Sequence, residues 1–296
     1  MENIPFLVRS ATGNTFAILD GIQTIEWKAL KKIQQQERCR LIQQLCERAQ
    51  PKVDGAFVLY ASENNPECFE WDFYNRDGSP AEMCGNAARC AFDYLFEKWI
   101  SKKEQGTLNT VVGKVLGRRL SDGQIQVQWS PPSMQLQALQ VTASYKTWKG
   151  YFIDTGVPHF LVEENLSLEQ ARELRFHPQF ADRGTNVTSV QFNKENQLQA
   201  WTYERGVEDR TLSCGTGAVA AAIFAEAKSK AIPAVFDVQM PGGILRVHLL
   251  KEKNEVCLTS SVIRFSENEF PRSFYEKIVT ERSLHGTDNS LQKAKN

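Results

Sequence analysis

Apolar positions along this chain fall into short runs more often than into long helical stripes. "FLVRSATGNTFAILDG" reads as a strand, a Gly-Asn turn and a second strand. "TIEWKALKKIQQQERCRLIQQLCERAQ" places Trp27, Leu30, Ile33, Leu41, Leu45 and Cys46 near helical spacing, which predicts one long helix ending before Pro51. "GAFVLYA" is a buried-strand pattern, and "CFEWDFYN" alternates as a strand before the turn "NRDGSP". "GNAARCAFDYLFEKWI" reads as a mostly buried helix. "TVVGKVLGRRL", "QIQVQWS" and "GYFIDTG" are strand-like, broken by Gly, Asp-Gly and Pro-Pro. "SLEQARELRF" is a short helix capped by Ser167, with Glu169 in its first turn. "TNVTSVQFN" and "QLQAWTYERG" form a hairpin pattern around Lys194–Asn196. "GTGAVAAAIFAEAKSK" is a helix apolar on most of its surface, and "AVFDVQMPGGILRVHLL" and "EVCLTSSVIRF" return to strands. The polar tail "TERSLHGTDNSLQKAKN" is expected to be mobile.

The order strand, turn, Cys-Gly, helix occurs twice, as "FYNRDGSPAEMCGNAARCA" and "TYERGVEDRTLSCGTGAVAA". Asn75 precedes Cys84 by nine residues, and Glu204 precedes Cys214 by ten. This approximate duplication predicts two similar domains related by a pseudo-twofold axis. The expected boundaries are 1–128 for the first and 129–262 for the second, with a mobile tail at 281–296.

Composition narrows the class. A chain of 296 residues with 42% hydrophobic and 24% charged positions can build a real core. Lys plus Arg number 35 and Asp plus Glu number 35, a balance that disfavours a general nucleic-acid binder or a membrane-surface protein. No apolar run is long enough to span a bilayer, and the N-terminus lacks the pattern of a signal peptide. Seven cysteines, an odd number, suit reduced thiols in a cytoplasm. Their spacing offers no zinc site.

The two Cys-Gly motifs carry the candidate chemistry. A helix N-terminus presents unpaired N–H groups and partial positive charge. It lowers the pKa of a cysteine held there and cradles a carboxylate. Gly85, Gly215 and Gly217 would let a ligand approach the backbone closely. Were the two copies to face one another, an amino acid could lie between them with one sulfur on each face of its Cα. One thiolate would remove the α-proton and the opposite thiol would return one, which is stereoinversion. Other readings stay open at this level: two cysteines buried as small hydrophobes, a single nucleophilic Cys working with His159, a Cys84–Cys214 disulfide in an oxidised form, or a non-enzymatic amino-acid binder.

"NRDGSPAEMCGNAARC" and "ERGVEDRTLSCGTGAVAAA" resemble the two cysteine motifs of the diaminopimelate epimerase family, which works without pyridoxal phosphate. "ATGNTFAILD", "VDGAFVL", "DTGVPHF", "RGTNVTSV" and "MPGGILRV" resemble further blocks of that family in the same order. The resemblance implies two α/β domains, each a mixed β-sheet wrapped round a central helix, with a C-terminal strand at about 263–280 returning to the first domain. It implies interconversion of LL- and meso-diaminopimelate in the cleft between them, for lysine and peptidoglycan synthesis. It implies no cofactor and no metal. Cys84 and Cys214 would be the acid/base pair. Gly85, Asn86, Gly215 and Thr216 would hold the α-carboxylate through the helix N-termini. Asn14, Asn75, Asn186, Glu204 and Arg205 would bind the rest of the substrate, with Arg205 on the distal carboxylate; His159 would support the site. The partner expected is a small amino acid, with no nucleic acid and no membrane. A homodimer is compatible with this reading, though the sequence carries no interface signal.

The chain departs from the family pattern at Thr15, Val157, Thr188 and Arg210. These departures bear on the distal pocket and leave a racemase of another amino acid, such as histidine or proline, as the alternative. The isomerases of phenazine-type pathways share the fold but lack the cysteine pair.

Overall fold

The computed structural model describes residues 2–62, 65, 68–100, 105–143, 145–194, 197–228 and 234–280. The expected tail and the hairpin residues Glu195 and Asn196 lie outside these. In chain order the elements are β1 (Ile4–Ala11), β2 (Asn14–Asp20), α1 (Ile25–Ala29), α2 (Gln35–Arg48), β3 (Gly55–Ala61), β4 (Cys68–Asn75) and α3 (Gly85–Lys98). There follow β5 (Gln105–Thr110), β6 (Gly113–Arg119), β7 (Ile125–Trp129), β8 (Gln137–Ala143), β9 (Lys146–Asp154), β10 (Pro158–Val162), α4 (Leu168–Arg175), β11 (Asn186–Lys194) and β12 (Gln197–Glu204). The chain continues through β13 (Asp209–Arg210), α5 (Gly215–Lys228), β14 (Val235–Met240), β15 (Gly243–Leu250), β16 (Glu255–Ser260), β17 (Val262–Arg264), β18 (Asn268–Phe270) and α6 (Arg272–Thr280). The class is mixed α/β.

The chain divides into two compact units. One comprises Met1–Arg9, Thr15–Glu82 and Arg264–Asn296; the other comprises Ser10–Asn14 and Met83–Ile263. In the first unit β2 pairs with β3 in parallel, β3 with β4 antiparallel, and β1 with β18 antiparallel. Its core joins Trp27, Leu30, Leu41, Ile42, Leu45, Phe270 and Tyr275. Trp27 packs edge-on to Tyr275 and donates its indole N–H to Pro5 O (2.8 Å).

The single long helix expected after Thr24 is instead two helices. A 3-10 turn at Leu30–Lys32 and an extended Ile33 separate α1 from α2. The polar run "QQQERCR" opens α2 just after the break, and the break lets Trp27 and Leu41 reach the same core cluster. Helix α4 begins as expected. Ser167 Oγ accepts from Gln170 N–H (3.1 Å) and Gln170 Oε1 accepts from Ser167 N–H (2.9 Å), a capping box.

In the second unit the strands run in the order β5-β6-β7-β16-β15-β14-β12-β11-β10-β9-β8. Pairings are antiparallel except β14 with β12 and β11 with β10. Helix α3 packs on β6 and β7, and α5 on β10, β11, β12, β14 and β15. Both helices are buried through their first three turns; α5 is apolar nearly all round, whereas α3 buries Asn86, Arg89 and Asp93 as well. Gly117 of β6 is essential to this packing: a Cβ there would lie 2.2 Å from the Phe92 ring of α3.

Candidate active site

The two cysteine motifs converge inside the second unit. Cys84 caps α3 with extended backbone, and Cys214 directly precedes α5. Each thiol residue's carbonyl accepts the first helical hydrogen bond, from Ala88 and from Ala218, both at 2.9 Å. The heads of the two helices meet over Leu258. A Cβ on Gly85 or on Gly215 would lie 3.0 Å from Leu258 Cδ2, and one on Gly215 would also lie 3.5 Å from Gly85 Cα. Glycine at both positions therefore brings the two sets of unpaired N–H groups together. Asn86 Nδ2 crosses between the heads to Ser213 O (3.3 Å).

The thiols are not the low-pKa thiols expected from their helix positions. Burial pushes Cys84 up to about 11; the N–H of Ala87 draws it down, Glu204 raises it, and the N–H of Asn86 and the Arg89 guanidinium lower it. Burial raises Cys214 as well, reinforced by Glu204 and opposed by the Thr216 hydroxyl and the Gly217 N–H; a charge on Cys84 raises it further. Desolvation outweighs the helix N-termini. The mutual effect of the sulfurs also opposes ionising both at once, so the pair holds one labile proton more readily than none.

A buried chain of hydrogen bonds runs away from Cys214. Its Sγ contacts Thr216 Oγ1 (3.4 Å), which meets His159 Nε2 (3.0 Å); His159 Nδ1 meets Thr188 Oγ1 (2.9 Å), and Thr188 meets Thr202 Oγ1 (3.0 Å). His159 is fully buried, and burial, with Arg205 nearby, holds its pKa down to about 3. The imidazole is neutral and can relay donor and acceptor roles along the chain.

That depression has a stability consequence. Between pH 6.5 and 3 the unfolded chain binds a proton at His159 that the folded chain refuses, so stability falls as pH drops through this window. Urea midpoints measured from pH 7 to pH 4 should show this slope, and His159→Gln should flatten it. An unchanged slope in the variant would disprove the assignment.

Asn186 is buried on β11. Its Nδ2 donates to Pro158 O (3.0 Å) and its Oδ1 accepts from Arg205 N–H (2.7 Å), so it braces the Glu204–Arg205 pair. The loop after that pair is held by Glu208, whose Oε1 accepts from Arg175 Nη2 (2.7 Å) and Gly206 N–H (3.0 Å). Glu204 acts electrostatically on both thiols, as a residue close to each must. Arg210 lies on the Trp201 ring at 4.9 Å. Asn14 accepts a hydrogen bond at Oδ1 from Asn86 Nδ2. Asn75 belongs to the first unit, where it ends β4 and donates to Ser79 Oγ (3.0 Å).

Sequence reasoning did not find Arg89, Thr12, Thr202, Ser213 or Leu258 as parts of this constellation. Arg89 alone left a signal: it stands three residues after Asn86 on α3, hence on the same helix face.

Comparison with known proteins bears on the family and the fold. Residues 6–135 and 151–264 match the family model described as Diaminopimelate epimerase. The chain is 33% identical to the diaminopimelate epimerase of Hydrogenobaculum sp., covering 82% of this chain and 90% of the relative. It is 36% identical to that of Aquifex aeolicus, covering 76% and 82%. Among solved structures, a phenazine biosynthesis protein of the PhzF family from Enterococcus faecalis superimposes with a TM-score of 0.68 at 10% identity, over 90% of this chain and 99% of that one. A hydroxyproline epimerase from Agrobacterium vitis, with bound trans-4-hydroxy-L-proline, gives 0.62 at 14% identity, over 90% and 92%. At such identities the structural likeness carries the fold alone. The sequence relatives carry more: this chain belongs to the diaminopimelate epimerase family.

Proposed function

We propose that this chain interconverts LL- and meso-diaminopimelate by passing the α-proton between Cys84 and Cys214. The observation that carries the reading is the convergence of two cysteine-headed helices over Leu258, with Cys84 close enough for its charge to be felt at Cys214. The names of the relatives supply the substrate.

The chemistry follows from the groups present. The thiolate takes the proton on Cα and becomes a thiol. The C–H electron pair moves into the α-carboxylate, where helix N–H groups stabilise the added negative charge. The opposite thiol gives its proton to the other face of Cα and becomes the thiolate. No electrons are gained or lost overall. Cys84 is the easier of the two to ionise, since Arg89 lowers it while Cys84 itself raises Cys214. The guanidinium of Arg205 suits the distal carboxylate, which a two-oxygen grip can select. Because a thiol pair must stay reduced to exchange a proton, the cytoplasm is the compartment in which this reaction would run.

The test is incorporation of solvent deuterium at Cα in D₂O with reductant, offering LL-diaminopimelate beside histidine, proline, lysine and glutamate. Exchange with inversion for diaminopimelate alone is expected. Exchange for another amino acid would overturn the substrate while keeping the acid/base pair. Exchange for none would overturn the reading.

A further inference from the structure

Arg89 is a fully buried cation whose surroundings contain no carboxylate partner among the described residues. It stands on α3, five residues after Cys84. Its Nη2 donates to Asn86 Oδ1 and to Thr12 Oγ1 (3.2 Å), both neutral oxygens. Its Nε and Nη1 have no hydrogen-bond partner among the described residues. A guanidinium so placed costs stability, because neither its desolvation nor its spare donors are compensated. Burial accordingly lowers its pKa, to about 10. A residue kept at such a cost calls for a role other than holding the fold.

The role follows from donor and acceptor counting. Arginine has donors only. Asn86 must therefore turn its carbonyl oxygen to Arg89, and its amide nitrogen then faces the other way. That nitrogen donates to Ser213 O and to Asn14 Oδ1. Asn14, having its oxygen engaged, must in turn point its own amide nitrogen elsewhere, and that nitrogen has no partner among the described residues. On the other side, Thr12 accepts from Arg89 and so donates to Ser260 Oγ (3.2 Å), which donates to Ser261 O (3.1 Å). Donor-only Arg89, with acceptor-only Ser213 O on the far side of Asn86, thus sets the direction of the bonds leading from it.

We propose that Arg89 is a positioning residue that fixes the amide orientations of Asn86 and Asn14, so that Asn14 offers N–H donors, rather than its oxygen, to the substrate. The proposal rests on the reading that Asn14 faces the bound amino acid. With a neutral apolar group in place of Arg89, only the long bond to Ser213 O (3.3 Å) still holds the Asn86 amide, so the flipped orientation becomes accessible, and Asn14 then loses the acceptor role that aligned it.

The experiment compares Arg89→Met, Arg89→Lys and Asn14→Ala. Arg89→Met should melt at or above the wild-type temperature, since it removes an uncompensated charge. It should nevertheless raise KM about tenfold, the effect of one misdirected hydrogen bond to a charged group. Arg89→Lys, still donor-only, should recover most of that loss. In a double-mutant cycle, Asn14→Ala should cost much less in the Arg89→Met background than in the wild type. Additive losses, or a KM rise that follows lost stability, would overturn the proposal. A readout independent of substrate separates this from failure of the functional reading. In protein labelled with ¹⁵N-asparagine, the Asn14 and Asn86 side-chain amides should give one sharp set of signals in the wild type, and shifted or doubled sets in Arg89→Met. Unshifted signals there would overturn the proposal whatever the substrate proves to be.

Discussion

Replacing Cys84 or Cys214 by alanine should reduce epimerisation by about 10³-fold or more while leaving the melting temperature within a few degrees of the wild type. Positioned acid/base groups each contribute about 10²–10⁴-fold, and here one group cannot do the other's work, because the two sulfurs serve opposite faces of one carbon. The variants should also differ from each other in D₂O. With Cys84 absent, Cys214 remains the sole base, so only the stereoisomer presented to Cys214 should wash in deuterium, and without inversion. The reverse holds with Cys214 absent. Mass spectrometry of recovered LL and meso substrate after incubation with each variant reads this out and assigns each thiol to its isomer. Wild-type turnover by either variant would eliminate the two-thiol mechanism. Alkylation should reach Cys84 before Cys214, since Cys84 is partly exposed and the more readily ionised, whereas Cys214 is buried.

Gly217→Ala should damage both stability and turnover, although alanine is the better helix former by about 1 kcal/mol. A Cβ at 217 would lie 2.5 Å from Thr202 Oγ1 and 3.3 Å from both Cβ and Sγ of Cys214. Thr202 cannot simply swing away, because its hydroxyl is bonded to Thr188, which in turn holds His159. Overpacking of this kind costs about 1–3 kcal/mol, which the helix-propensity gain of about 1 kcal/mol offsets in part, so a net destabilisation of up to about 2 kcal/mol is expected, read as a lower melting temperature. The larger effect is on catalysis. The helix must shift outward and carry Cys214 with it, and a displacement of about 1 Å at a reacting group costs roughly 10²-fold. Thr202→Ala in the same chain should return part of the stability by making room for the methyl group. If the double variant is no more stable than Gly217→Ala alone, the clash with Thr202 is not the cause.

The parts of this protein legible in its sequence are those set by local chemistry. The turn of the first hairpin was legible through Gly13, which adopts φ +87°, although it falls on Thr12-Gly13, one residue before the expected Gly-Asn, and Asn14 already begins β2. The capping box at Ser167 is complete within four residues. The Cys-Gly heads of α3 and α5 were visible as a repeated pattern, and the alternation of β4 and the apolar surface of α5 follow from burial on one side or all round. Such features need only their neighbours in the chain. Tertiary structure decided the rest. It broke the long helix after Trp27, since one straight helix could not deliver both ends to one core. It reversed the direction of the thiol pKa values, because helix N-termini act locally whereas desolvation depends on everything packed around the sulfur. It turned Asn186 into a brace for Arg205. It also gave Arg89 its place, for a donor-only side chain sets the polarity of a hydrogen-bond chain only once Thr12, Asn14, Asn86 and Ser213, distant in sequence, lie side by side.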